Sequence, residues 1–273
     1  MRAVLLQSGS IASPPRTSLF GSAMVLSGAA VLGFAFLRPD VSGAYPAGIL
    51  WLILISAAIL RCHAAVPLSL LGALTTSLAH AGSFFRVWPF HLLVSLIAFA
   101  AVVRILPVRR ASTHWMKTGT MNPKIVRLIV AVSLLSGIAL VGWVSLTNAD
   151  IGHHLAMLPE MPFWCYPIAG MGFAILNAIM EEAVFRGVVM DALDRALGDG
   201  HASIGIQAIL FAAFHYQSGF PNGASGFVLT LIYGILLGAL RRLSRGMLAP
   251  LTAHIAADLT IFALLLVYVT GPS

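Results

Sequence analysis

Apolar runs follow one another along this chain with scarcely a charge inside them. A hydrocarbon core takes about 20 apolar residues per crossing helix. On that basis spans fall near 19–37, 45–60, 64–82, 87–106, 126–147, 164–185, 203–217, 224–240 and 247–270. The second, seventh and eighth are short, so the pattern allows eight spans or nine. Only 9% of the 273 residues are charged and 59% are hydrophobic, whereas a soluble domain is roughly a quarter charged. Such a chain cannot cover a surface that faces water. The expected fold is all-α, a polytopic transmembrane helical bundle, with the lipid bilayer as its first partner.

A net charge of +7 raises the question of nucleic acid. The placement of the charge answers against it, because Lys and Arg fall mostly between the apolar runs rather than along a groove or stripe. The stretch from Arg104 to Arg127 holds Arg104, Arg109, Arg110, Lys117, Lys124 and Arg127 and no acid. Cytoplasmic loops carry such an excess, so this loop is expected inside. With nine spans, counting back puts Arg2, Arg16 and the N-terminus in the cytoplasm. Counting forward puts Asp150 and Glu160 outside and Arg186, Arg195, Arg241, Arg242 and Arg245 inside. The segment before the first run is polar and contains Pro14 and Pro15, unlike a cleavable signal peptide. Cys62 and Cys165 form no metal spacing and no disulfide framework, and are expected to pack as small apolar residues. The short, alanine- and glycine-rich chain reads as a protein of the bacterial inner membrane.

The basic loop also divides the chain. Residues 1–108 are expected to be scaffold spans and residues 109–125, with Gly119, Asn122 and Pro123, a cytoplasmic linker. Residues 126–273 form the expected core, the whole being one membrane domain. Three places in that core break the apolar pattern: Glu181, Glu182 and Arg186; then Phe211 and His215; then His254 and Asp258. Ionisable groups cost several kcal/mol in a bilayer and are normally paired or functional there. Glu182 and Arg186 are four apart, on one helical face, and are expected to form a buried ion pair. Glu181 is five from Arg186 and projects elsewhere. A carboxyl without a cationic partner in a low-dielectric site is positioned to take a proton from water. The two glutamates equally allow a simple helix–helix staple on the arginine. His254 and Asp258 also share a face. Asp258 would then fix the tautomer of His254, or both would stabilise an oxyanion.

The pattern Glu-Glu-x-x-x-Arg, Phe-x-x-x-His and His-x-x-x-Asp resembles the CPBP family, the type II CAAX prenyl endopeptidases and Abi-type intramembrane proteases. Phe185 and Gly187 fit the first motif. Tyr233 to Gly238 and Gly246 to Pro250 are similar to the region around the last. The resemblance runs over about residues 165–262. It implies that Glu181 and His215 activate the attacking water, that His254 and Asp258 bind the oxyanion or orient the carbonyl, and that Glu182 and Arg186 support Glu181, with Phe211 a further supporting residue. The activity implied is glutamic-type peptide hydrolysis, on a membrane-embedded or lipid-anchored protein or peptide. Many members carry Asn at the last position, where this chain has Asp258. A prenylated protein, a bacteriocin-like peptide and a C-terminal sorting signal all stay open as substrates.

Other readings compete. Glu181, His215 and His254 are suitable types for a three-ligand zinc site, but no His-Glu-x-x-His is present, and the expectation is no cofactor. Gly223-Ala224-Ser225-Gly226 with His254 is similar to a rhomboid serine protease, although Ile255, Ala256 and Ala257 replace the glycines that would follow that histidine. A transporter would show broken spans in both halves, and the polar load here is one-sided. A silent scaffold or immunity protein would be expected to lack a site residue. One conflict stands in the span boundaries. Glu181 falls near the cytoplasmic end of its helix and His215 about 18 Å deep, so a boundary is misplaced or a helix is kinked.

Overall fold

The computed structural model describes residues 17–38, 44–105, 113, 115–147 and 151–270. Arg2, Arg16, Arg109, Arg110 and Asp150 lie outside them. Each apolar run becomes a helix: α1 (Leu19–Leu37), α2 (Tyr45–Ile59), α3 (Ala65–Ala81), α4 (Phe90–Ile105), α5 (Pro123–Thr147), α6 (Tyr166–Glu182), α8 (His201–Ser218), α9 (Gly223–Ser244) and α10 (Leu248–Thr270), with α7 (Met190–Leu197) continuing α6. No strand occurs among the described residues. Among the described residues, five helical stretches are long and apolar enough to cross a bilayer: Leu19–Leu37, Pro123–Thr147, Phe163–Leu197, Gly223–Ser244 and Leu248–Tyr268. Helices α2, α3 and α4 are apolar but shorter. The chain is an integral membrane protein.

Local chemistry sets the helix ends. Ser18 caps α1 by accepting from the Gly21 amide at 3.2 Å, and Asn122 Oδ1 accepts from the Ile125 amide at the start of α5. Both satisfy amides that lack a partner in the first helical turn. Helix α9 stops at Arg245 in the left-handed region, φ 57°.

The sixth span differs from the expected 164–185. Helix α6 does not end there but passes through a π-helical segment, Ala183–Val189, into α7. The reason is that the charges which end the apolar run are buried and paired. Asp194 accepts a two-pronged contact from Arg242, at 2.6 and 3.1 Å, with Arg241 at 3.8 Å, and Arg195 pairs with Asp191 at 3.0 Å. The depth conflict dissolves with this boundary. Glu181 lies about 24 Å from the Leu197 end and His215 about 21 Å from the adjacent His201 end.

The first four helices share a core with the rest. Val25, Leu32, Leu68 and Leu71 lie in one apolar cluster with Phe185, Leu193 and Phe211. At one end of α1, Thr17 N donates to Arg195 O and Ser22 Oγ to Ala196 O, and at the other end Gln217 Nε2 donates to Leu37 O. The linker is pinned as well. Lys117 O and Thr118 O accept from the Met247 and Leu248 amides at the start of α10, and the Thr120 amide donates to Ser244 O. Lys117, Arg195, Arg241 and Arg242 therefore converge at one end of the bundle, with Thr17.

Helices α8 and α9 touch closely at Gly234, where a Cβ would fall 3.1 Å from Ala208 Cα and 3.2 Å from the Phe211 ring. Gly234→Leu is expected to cost about 1–3 kcal/mol by overpacking, read as a lower thermal midpoint in detergent micelles. An unchanged midpoint would show that the two helices can part without loss.

Candidate active site

The cluster sits where α6, α8 and α10 meet. Glu181 and Glu182 end the α-helical part of α6, His215 lies in the last turn of α8, and His254 and Asp258 occupy two turns of α10. All are buried, Arg186 and Glu182 almost completely. The structure thus brings together all six polar residues singled out in the sequence.

Glu182 Oε1 stands between the Arg186 guanidinium, its ion-pair partner, and the His254 ring, its hydrogen-bond donor. Arg186 Nη1 reaches it at 2.9 Å and His254 Nδ1 at 2.8 Å. The expected Glu182–Arg186 pair is present, even though Arg186 lies in the π-helical segment. A carboxylate only accepts, so His254 carries hydrogen on Nδ1 and turns Nε2 away from Glu182. The residue oriented against His254 by a hydrogen bond is therefore Glu182 rather than Asp258. Asp258 Oδ1 lies 3.8 Å from His254 Nε2, beyond hydrogen-bond range.

Glu181 takes the opposite position. Its Oε2 is 3.5 Å from His254 Nε2 and 3.7 Å from His215 Nε2, and it is buried without a hydrogen-bond partner. His215 is held from its other side, where Nδ1 bonds the Phe211 carbonyl at 2.9 Å. That carbonyl can only accept, so the hydrogen is on Nδ1 and Nε2 presents a lone pair toward Glu181 in the neutral ring. The α8 helix ends at Gly219, where a Cβ would crowd the His215 ring.

Phe211 packs among these groups. The Arg186 guanidinium carbon lies 4.1 Å from its ring centroid, a cation–π contact. The His215 and His254 rings meet it edge-on at 4.5 and 5.9 Å. Beside the cluster opens a cavity of about 310 Å³. His215, His254 and Asp258 are among its polar residues, with Thr230 and Tyr233, and Leu135, Leu229, Ile232 and Leu236 are among its apolar ones.

Two neighbours escaped the sequence reading. Asn177, one turn before Glu181, donates from Nδ2 to Asp258 Oδ2 at 3.2 Å. Its Oδ1 accepts from Trp88 Nε1 at 2.9 Å. A lone amide in an apolar run was the available signal for Asn177. Trp88, far away in sequence, had none. Ser225, the candidate serine, accepts instead from Trp143 Nε1 at 3.0 Å, while the nitrogens of His254 face Glu182 and Glu181. Among the described residues no three of His, Cys, Asp and Glu are grouped to hold a metal ion.

Residues 163–260 match the family model described as type II CAAX prenyl endopeptidase, Rce1-like. The match supports the CPBP resemblance and covers the whole cluster except Trp88. This part of the chain is similar to that family over 98 of the 273 residues. No curated protein and no solved structure matches the chain.

Proposed function

We propose that the stretch matching the type II CAAX prenyl endopeptidase model hydrolyses a peptide bond of a membrane-embedded or lipid-anchored protein, with Glu181 as the base that activates water. One observation carries this reading. The Nε2 atoms of two histidines face a single buried carboxylate oxygen, Glu181 Oε2, that no hydrogen bond satisfies. Buried polar atoms are normally paired, and a water held by Glu181 and His215 would fill that need.

The steps follow from the atoms. Water donates one hydrogen to His215 Nε2 and gives a proton to Glu181. The resulting hydroxide attacks the peptide carbonyl carbon. His254, doubly protonated beside Glu182, presents Nε2–H to the oxyanion. Collapse of the intermediate breaks the C–N bond, and Glu181 passes its proton to the leaving nitrogen. The apolar cavity wall excludes bulk water and strengthens each of these interactions. Asp258, as a carboxylate, would repel the oxyanion. Its place is as a partner of His254. No metal takes part, and we place the basic end of the bundle in the cytoplasm of a bacterial cell.

The test uses purified protein in liposomes and an internally quenched peptide ending in a farnesylated CAAX sequence, in heavy-oxygen water. Cleavage at one bond, with one heavy oxygen in the new carboxylate and no loss on adding phenanthroline, is the expected result. Chelator-reversible loss would overturn the metal-free chemistry. A chain that neither cleaves this peptide nor traps any membrane protein in cells as Glu181→Gln would overturn the reading itself.

A further inference from the structure

We propose that Asn177, locked by Trp88, is a positioning residue that aims Asp258 at His254, so that the N-terminal helices take part in setting the active site. This rests on the proteolytic reading above.

The amide is held from both sides with no ambiguity. An indole N–H only donates, so the atom of Asn177 that faces Trp88 is the oxygen. The nitrogen is then left to face Asp258, and a carboxylate, which accepts, is the partner it requires. The two contacts, 2.9 and 3.2 Å, agree on one orientation. Asp258 Oδ2 is engaged in this way, and its Oδ1 faces His254 Nε2 at 3.8 Å. The line Trp88–Asn177–Asp258–His254 runs into the cluster from one side, and Glu182 meets the same imidazole from the other.

Placement argues for more than a staple between α6 and α10. Asn177 stands four residues before Glu181 and therefore on the same face of α6. It is buried, and so is Asp258. Trp88 belongs to the connection between the short turn Ser83–Arg86 and α4, where its ring also packs on Phe173 with centroids 5.0 Å apart. A single indole thus carries the register of the first four helices to the imidazole of His254. Partners standing behind metal-binding side chains orient them, and their loss typically lowers activity by one or two powers of ten; Asn177 stands behind Asp258 and His254 in the same way.

Two measurements on the full-length protein test this. In micelles, with isotope-labelled histidine, Asn177→Ala and Trp88→Phe are expected to move the ring-nitrogen resonances of His254, identified by their loss in His254→Gln. Those of His215 should stay in place. Unmoved His254 resonances would overturn the relay whatever the protein cleaves. With the farnesylated peptide, Asn177→Ala is expected to lower kcat about tenfold at nearly unchanged KM. Trp88→Phe, which keeps the contact with Phe173 and loses only the N–H, should lower it less and add nothing further on Asn177→Ala. A residue serving only as a staple would lose yield and thermal stability, with kcat of the folded fraction intact, and that result overturns the proposal. If Glu181→Gln is inactive while Asn177→Ala keeps full kcat, the relay alone fails. If Glu181→Gln remains active, the proteolytic reading fails instead.

Discussion

Glu181→Gln is expected to lower peptide turnover by roughly 10²–10⁴-fold, the contribution of a positioned general base, while leaving a protein that purifies and unfolds like the original. The second half of that expectation follows from the geometry. Among the described residues Glu181 has no arginine or lysine partner, and the two histidine Nε2 atoms lie 3.5 and 3.7 Å from its Oε2. An amide of the same shape leaves the Glu182–Arg186 pair intact and needs no repacking. Initial rates on the farnesylated peptide, set beside thermal unfolding in micelles, check both halves. A rate within tenfold of the original would remove Glu181 from the chemistry.

Glu182→Gln should behave in the opposite way. It removes the charge that faces a completely buried guanidinium, and an uncompensated buried charge costs about 3–5 kcal/mol. Arg186 has little else to turn to among the described residues, since none of its guanidinium nitrogens makes a hydrogen bond and the guanidinium otherwise lies over the Phe211 ring. Yield and thermal midpoint should therefore fall sharply. The double variant Glu182→Gln with Arg186→Met removes both charges and should recover most of the loss, because replacing both members of a buried pair is often nearly neutral. Activity should not return with it, as His254 Nδ1 would no longer face a carboxylate. A wild-type midpoint in Glu182→Gln would contradict the ion-pair argument. An active double variant would contradict the hold of Glu182 on His254.

Much of this site was readable along single helices. Spacing of four residues fixed the Glu182–Arg186 pair, and apolar run length located α1 and α5 to within a few residues. What crosses between helices was hidden. Fourfold spacing offered Asp258 as the partner of His254, yet one helical turn leaves Asp258 Oδ1 at 3.8 Å while Glu182, on another helix, arrives at 2.8 Å. Asn177 and Trp88 were missed for the same reason, being partners across 81 and 89 residues. The end of the sixth span was misread because Arg186 and Arg195 read as its cytoplasmic exit, whereas the helix runs on past buried, paired Asp191 and Asp194. Their arginines, supplied partly by α9, keep that end folded into the bundle.

The wide turn of Ala183–Val189 has a consequence for how this helix tolerates changes of length. In such a segment each amide reaches five residues back rather than four, which accommodates a surplus residue relative to an α-helix. Deleting one residue there would let ordinary helical bonding close up. The wide turn takes up the surplus residue locally, so the α-helical faces on either side would keep their mutual phase. Asn177 and Glu181 would keep their aim, and Asp194 its pairing with Arg242. The same one-residue gap within α6 or α7 would instead turn everything beyond it by about 100°. The segment is the part of this rod that absorbs a change of length.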